Sequence, residues 1–250
     1  MKIVTACLSV SFALTTFLTE AQGTLQKWEL GVQVGMSGYL GDLNKSDVFS
    51  KEPKPSISLL GRYHFNERWA LRASIVSGSL SGSDANYPQR ATRGFKTFSP
   101  VMDLTAAAEW DFLGKKHLFT DDDNTSDSQD KPKNRLSAYL LLGVGLAFTN
   151  PKPDFSGTSQ TEPYYVQGAI RDKAAFYSNT HLVTPIGVGV RYEISQHWVL
   201  GAEAVVRVSF SDYLDGVSKA GNPQKNDKYK ISGLTLSYRF KEKDKKLNCP

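Results

Sequence analysis

The 250-residue chain predicts an all-β fold: an eight-stranded antiparallel transmembrane β-barrel with a plugged lumen. Eight segments alternate between apolar residues and small or polar ones, the period of a wall with one face in lipid and one facing inward. The only four tryptophans, Trp28, Trp69, Trp110 and Trp198, fall on the apolar parity. If the segments are successive antiparallel strands, all four stand at one end of the barrel. Amphipathic rings settle at the headgroup boundary, so these four make a one-sided aromatic girdle. Short turns also alternate with long connections, as periplasmic turns alternate with outer loops in such barrels.

Ahead of the first strand, Lys2 precedes an apolar run over residues 3–18, and Thr19-Glu20-Ala21 places small residues at a cleavage site. This suits a secretory signal peptide over 1–21 and is short for a spanning helix. Cys7 would leave with it. The expected domains are then a barrel over 22–240 and a basic periplasmic tail over 241–250. Lysines and arginines are interleaved with Asp and Glu, so the net charge of +5 forms no nucleic-acid-binding stripe.

In chain order the outward parity begins with Trp28, Leu30, Val32, Val34 and Met36, then Ile57, Leu59, Tyr63 and Phe65, then Trp69, Leu71, Ala73 and Ile75. Met102, Leu104, Ala106, Ala108, Trp110 and Phe112 mark the fourth segment, and Ala138 to Phe148 in alternation the fifth. Leu182, Ile186, Val188, Val190 and Tyr192 mark the sixth, Trp198 to Phe210 the seventh, and Leu234, Leu236, Tyr238 and Phe240 the eighth. No charge falls on this face as so bounded, which a bilayer requires, since one Arg or Lys at the midplane costs roughly 2 to 4 kcal/mol. Asn66-Glu67 and Ser195-Gln196-His197 are the tight turns. The segments around 41–54, 80–97, 149–180 and 211–228 are the long loops.

The opposite parity carries Arg62, Arg72, Arg191, Arg207 and Arg239 with Glu29, Asp103, Glu109, Asp111, Glu193 and Glu203, and no lysine within the strand interiors. A water-facing sheet normally includes flexible lysine, whereas arginine is preferred where bidentate pairing in a confined space matters. An eight-stranded barrel is just wide enough for side chains to fill. Ions there must be paired, because an unpaired buried charge costs several kcal/mol. These eleven residues are therefore expected to form a lumen charge network that closes the bore, with Arg72 and Glu109 as members.

Several phrases are distinctive together. Tyr39-Leu40-Gly41-Asp42-Leu43-Asn44 follows the first strand, Arg62-Tyr63-His64-Phe65-Asn66 leads into Trp69-Ala70-Leu71-Arg72-Ala73-Ser74, and Ser81-Gly82-Ser83-Asp84 follows. Asp212-Tyr213-Leu214-Asp215-Gly216-Val217-Ser218 comes after the seventh strand, and Cys249-Pro250 closes the chain. Together they resemble the Bacteroidota outer-membrane barrel family that includes PorG, a component of the type IX secretion system. The resemblance implies a non-enzymatic outer-membrane barrel that helps tie a periplasmic ring of PorK- and PorN-like subunits to the membrane. A general structural or surface-binding barrel is the alternative, and a lipid-modifying enzyme a third.

No catalytic constellation, metal site or cofactor motif is expected. Asp121 and Asp123 have the first two spacings of an EF-type calcium loop, but Ser126 stands where glycine is needed and Pro132 where glutamate closes the site. The acidic insertion over 113–134 reads as a solvated turn. His181, near Ser178 and Asn179, is the best placed histidine for acyl transfer, yet no motif supplies nucleophile and orienting carboxylate around it. After signal removal Cys249 is the only cysteine, in an oxidising compartment, which marks it as a candidate for an intermolecular disulfide.

Overall fold

The computed structural model describes residues 28–41, 43, 50–90, 92–113, 135–158, 162–176, 178–195, 197–218, 220 and 226–240. The segments read as signal peptide and basic tail lie outside these, with Cys249, as does all of the acidic insertion beyond Leu113.

The strands are β1 (Trp28–Leu40), β2 (Lys54–His64), β3 (Trp69–Ser83), β4 (Lys96–Asp111), β5 (Leu136–Thr149), β6 (Lys152–Asp154), β7 (Thr180–Glu193), β8 (Trp198–Ser209) and β9 (Lys228–Arg239). One helix, α1 (Pro163–Ala174), lies between β6 and β7. The sheet runs β3-β2-β1-β9-β8-β7-β5-β4, and pairing of β3 with β4 closes it. Every pairing is antiparallel, giving an eight-stranded transmembrane barrel. No described helix is long and apolar enough to cross a membrane. The short β6 is an addition to the expected eight strands. It pairs with Lys96–Phe98 of β4 at the outer end.

The alternation in sequence becomes alternation in space. Along β4 exposed and buried residues alternate without a break over 16 positions. Val144 is 62% exposed and Val34 59%, whereas Arg62 and Glu29 are fully buried. Apolar side chains outside and ionic ones inside invert the arrangement of a soluble barrel, as lipid demands. All four tryptophans are exposed at the end where the chain enters β1, and Trp69 stands directly opposite Trp110. Trp28 packs edge-on against Tyr63, and Trp198 against Tyr238, so tyrosines of neighbouring strands complete the girdle.

The outer ends of the strands differ from expectation. β3 and β4 stay paired as far as Ser83 and Lys96, well into the segment expected as loop. β9 begins at Lys228, so Lys228 and Lys230 lie within a strand on the outward parity, as does Lys96 in β4. Backbone pairing, here Leu40 with Lys228, continues above the apolar stretch. The cost of a lysine falls to about 0 to 1 kcal/mol near the interface, so the ladder outruns the hydrophobic pattern.

Candidate functional site: the lumen and its outer cap

The lumen is filled in tiers. Nearest the tryptophan girdle, the guanidinium of Arg62 bonds Glu29 through Nη1 and Glu109 through Nε, the latter at 3.0 Å. Arg72 makes a two-pronged contact with Glu203, Nη1 to Oε2 at 2.6 Å and Nη2 to Oε1 at 2.8 Å, and lies 3.5 Å from Glu109. Arg191 reaches the other oxygen of Glu109 at 3.0 Å and lies over the Tyr139 ring at 4.0 Å. Arg239 bridges Glu29 at 3.5 Å and Glu193 at 3.4 Å. The hydroxyls of Tyr139 and Ser237 donate to Glu203 and Glu29, both at 2.6 Å. His64 sits 3.2 Å from Glu29.

Register explains why these side chains meet. Glu29 is opposite Arg62 and Arg239, Arg62 is opposite Arg72, and Glu109 is opposite Ala70, so their inward vectors converge at one level. The direct Arg62–Arg72 opposition would repel, and the shared Glu109 carboxylate between them offsets it. A second tier lies further out: Arg207 forms an ion pair with Asp103 at 2.6 Å, and Tyr229 donates to the same carboxylate at 3.0 Å. Asp111 is buried at the girdle end. Glu193 is the partial exception, its side chain 21% exposed.

Above the second tier the chemistry changes. Tyr39, Leu43, Val76, Leu80, Phe95, Val101, Phe155, Val183, Leu214, Val217 and Ile231 form one buried apolar cluster, closing the outer mouth with carbon. Phe95 packs edge-on against Phe155 at 4.9 Å and against Tyr165 of α1 at 6.3 Å. Helix α1 starts at Pro163, whose fixed φ suits the first turn. It turns Gly168, Ala169 and Asp172 inward at helical spacing. Gly168 is there for space, since a Cβ would come within 2.7 Å of the Ala220 Cα. The Asp172 carboxylate accepts the backbone N–H groups of Ser218 and Ala220 at 3.2 and 2.9 Å, tying α1 to the loop after β8.

Three distinctive sequence phrases converge in this cap. The Tyr39 hydroxyl lies between the carboxylates of Asp215, at 2.7 Å, and Asp227. Leu43 and Leu214 are buried in the same cluster, and Gly82 leaves room for Leu43. Asp84 is clamped by Arg93, Nε and Nη2 each at 2.7 Å, and accepts the Phe95 N–H at 3.0 Å. Gly216, at φ +78°, allows the sharp reversal that places Asp215 and Val217.

Most of the cap residues were not legible as a site. The available signal was that inward parity turns apolar toward the outer ends, at Val76, Leu80, Val101, Val183 and Ile231. His181 is buried against the Thr149 hydroxyl at 3.0 Å. Among the described residues no His, Cys, Asp or Glu group has metal-binding geometry.

A family model described as a domain of unknown function, DUF6089, matches residues 7–127 and 156–249. The chain belongs to the DUF6089 family. No curated protein matches it. Among solved structures it is similar to the attachment invasion locus protein Ail of Yersinia pestis, at 14% identity and TM-score 0.44, covering 88% of this chain and 100% of that one. Neisserial surface protein A aligns at 15% identity and TM-score 0.43, covering 85% and 97%. A major outer membrane protein of Thermus thermophilus aligns at 12% and 0.44, covering 85% and 99%.

Proposed function

We propose that this protein is a non-enzymatic barrel of the Gram-negative outer membrane that works by contact, as an accessory or anchor component of the type IX secretion machinery. The observation that carries the contact reading is the filled bore: Arg62, Arg72 and Glu109 block one half and the Phe95–Leu214 cluster the other. A barrel with no conduit is left with its rims and loops as working surfaces. The secretion role rests on the resemblance carried by the phrases around Tyr39, Arg62, Ser81 and Asp212. The partners in this reading are PorK- or PorN-like ring subunits, met at the periplasmic end where β1 begins and β9 ends. Cys249, in the basic tail beyond β9, is the proposed covalent contact.

Affinity purification of the tagged barrel from native membranes tests this, with ring subunits expected among the co-purifying proteins. Recovery of the barrel alone, under conditions that keep the ring intact, overturns the anchor role. On a non-reducing gel the wild type should run partly as a higher-mass adduct that Cys249→Ser abolishes.

A second reading, a surface-binding barrel, is favoured by the folded cap, which exposes Tyr164, Ile170 and Phe176 on the outer loop. Capture of a soluble ligand by intact cells, lost when these three are replaced by serine, would favour it. Turnover of purified lipid, abolished by His181→Ala, would instead establish an enzyme.

A further inference from the structure

The membrane face of the barrel is not uniform. An apolar groove of about 680 Å³ crosses β9, β1, β2 and β3, within the size range of ligand sites. Its origin is in the register. One outward row runs Trp198, Tyr238, Leu30, Gly61, Ala73, Ala106, each opposite the next on the neighbouring strand. The first three are large and the last three are not, so the wall drops by most of a side chain at Gly61. The next row outward, Leu236, Val32, Leu59, Ile75 and Leu104, is large throughout and forms one bank. Tyr63 and Leu71, also opposite each other, begin the other bank.

The row is inclined. Trp198 opens its strand at the girdle, whereas Ala73 and Ala106 lie deeper along theirs than Trp69 and Trp110. It therefore descends from headgroup level into the hydrocarbon, the path an acyl chain of the periplasmic leaflet follows. The rim beside it carries complementary charge. Arg68 and Glu67 are exposed on the turn joining β2 to β3, a cation for a phosphate and a carboxylate for an ammonium. At the other end of the row, His197 stacks on Tyr238 at 5.5 Å. Its Nδ1 lies 3.1 Å from the Arg239 carbonyl, to which it donates, leaving Nε2 as the nitrogen available to a headgroup.

We propose that this groove is a specific seat for one glycerophospholipid of the inner leaflet, its acyl chain in the trough at Gly61 and Ala73 and its headgroup at the girdle-end rim, between His197 and Arg68. The site is independent of the secretion role. A second copy of the barrel fits less well, because its convex wall meets a narrow trough banked on both sides.

Trp198 lines the groove and is its reporter. In a protein retaining only Trp198, with Trp28, Trp69 and Trp110 replaced by phenylalanine, phosphatidylethanolamine with brominated acyl chains is titrated into the detergent-solubilised barrel. Saturable quenching at about one lipid per barrel is expected, and Gly61→Leu should weaken it roughly tenfold or more by filling the trough. Space permits that change, since a Cβ at Gly61 meets only the Leu30 Cδ2, at 3.3 Å. Ala73→Val serves as a second filling variant, and Ala204→Leu, on β8 away from the groove, should leave the titration unchanged. Heat-modifiable gel mobility reports folding for each. Quenching that rises linearly with lipid content, or saturation indifferent to both filling variants, overturns the seat in favour of an ordinary lipid annulus. A wild-type dimer lost on filling the trough overturns it in favour of self-association.

Discussion

The two halves of the lumen solve one problem by opposite means. Near the girdle the bore is closed by guanidinium and carboxylate groups, near the outer mouth by aromatic and aliphatic carbon. The difference lies in what surrounds each half. The lower half is ringed by lipid-facing strands, and the tight β2–β3 and β7–β8 turns leave little chain there to fold inward; among the described residues strand side chains span the bore, and long arginines do so. The outer half has long loops above it, which return Leu43, Phe95, Phe155 and Leu214 to cover inward-facing Val76 and Leu80. Ion pairing is directional and intolerant of a missing partner. Apolar packing is non-directional and degrades in proportion to volume lost.

This contrast is most exposed by Arg72→Met. The change strands the buried Glu203 carboxylate, whose bidentate partner it removes, and should cost about 3 to 5 kcal/mol. Urea unfolding in detergent, followed by gel mobility, measures it. Arg72→Met combined with Glu203→Leu should recover most of that loss, because replacing both charges by carbon is often close to neutral. If the double variant is no better than the single, the lower plug is more than a pairing requirement.

In the cap, Leu214→Ala should cost about 2 to 5 kcal/mol, the usual range for a buried leucine. That loss should be local: limited proteolysis should cut faster within residues 150–179 while the strands keep their unfolding midpoint. Global unfolding at lower urea would mean that the two halves are one cooperative unit.

Asp172→Ala removes the acceptor for two backbone N–H groups, a change of about 1.5 to 3 kcal/mol for charge-assisted bonds. Asp172→Asn retains an acceptor oxygen and should lose less. Amide exchange at Ser218 and Ala220 reports both, and equal exchange in wild type and Asp172→Ala would detach α1 from this role.

The smallest expected effect is none. Deleting residues 162–176 removes Tyr165 and Ala169 from the cap, yet planar bilayers should still show no sustained large conductance, because the rest of the cluster and the Arg62–Glu109–Arg72 barrier stay in place. Stable porin-sized channels would assign closure to the cap alone.

The wall and the lower plug were legible because both depend on period-two placement, which strand geometry imposes residue by residue. Once Trp28, Leu30 and Val32 face lipid, Glu29 must face in, and arginine without lysine on that parity implies pairing. Which arginine meets which carboxylate was not legible. Register depends on pairing across the closed sheet, and Arg72 and Glu203 are joined across the bore from strands that do not pair.

The cap lies further from the sequence. Its residues come from four separate connections, and their apolar character is diluted among Gly, Asp and Ser that serve turns. The same holds for the lipid-facing trough, since Leu30, Gly61 and Ala73 are separated in the chain and adjacent only in the closed wall. By itself the sequence determined which face of each strand meets lipid, because that choice is local and made by alternation. Only the tertiary structure decided which side chains meet in the bore, where the loops come to rest and where the wall is hollow, because closing the barrel sets distances that no single strand encodes.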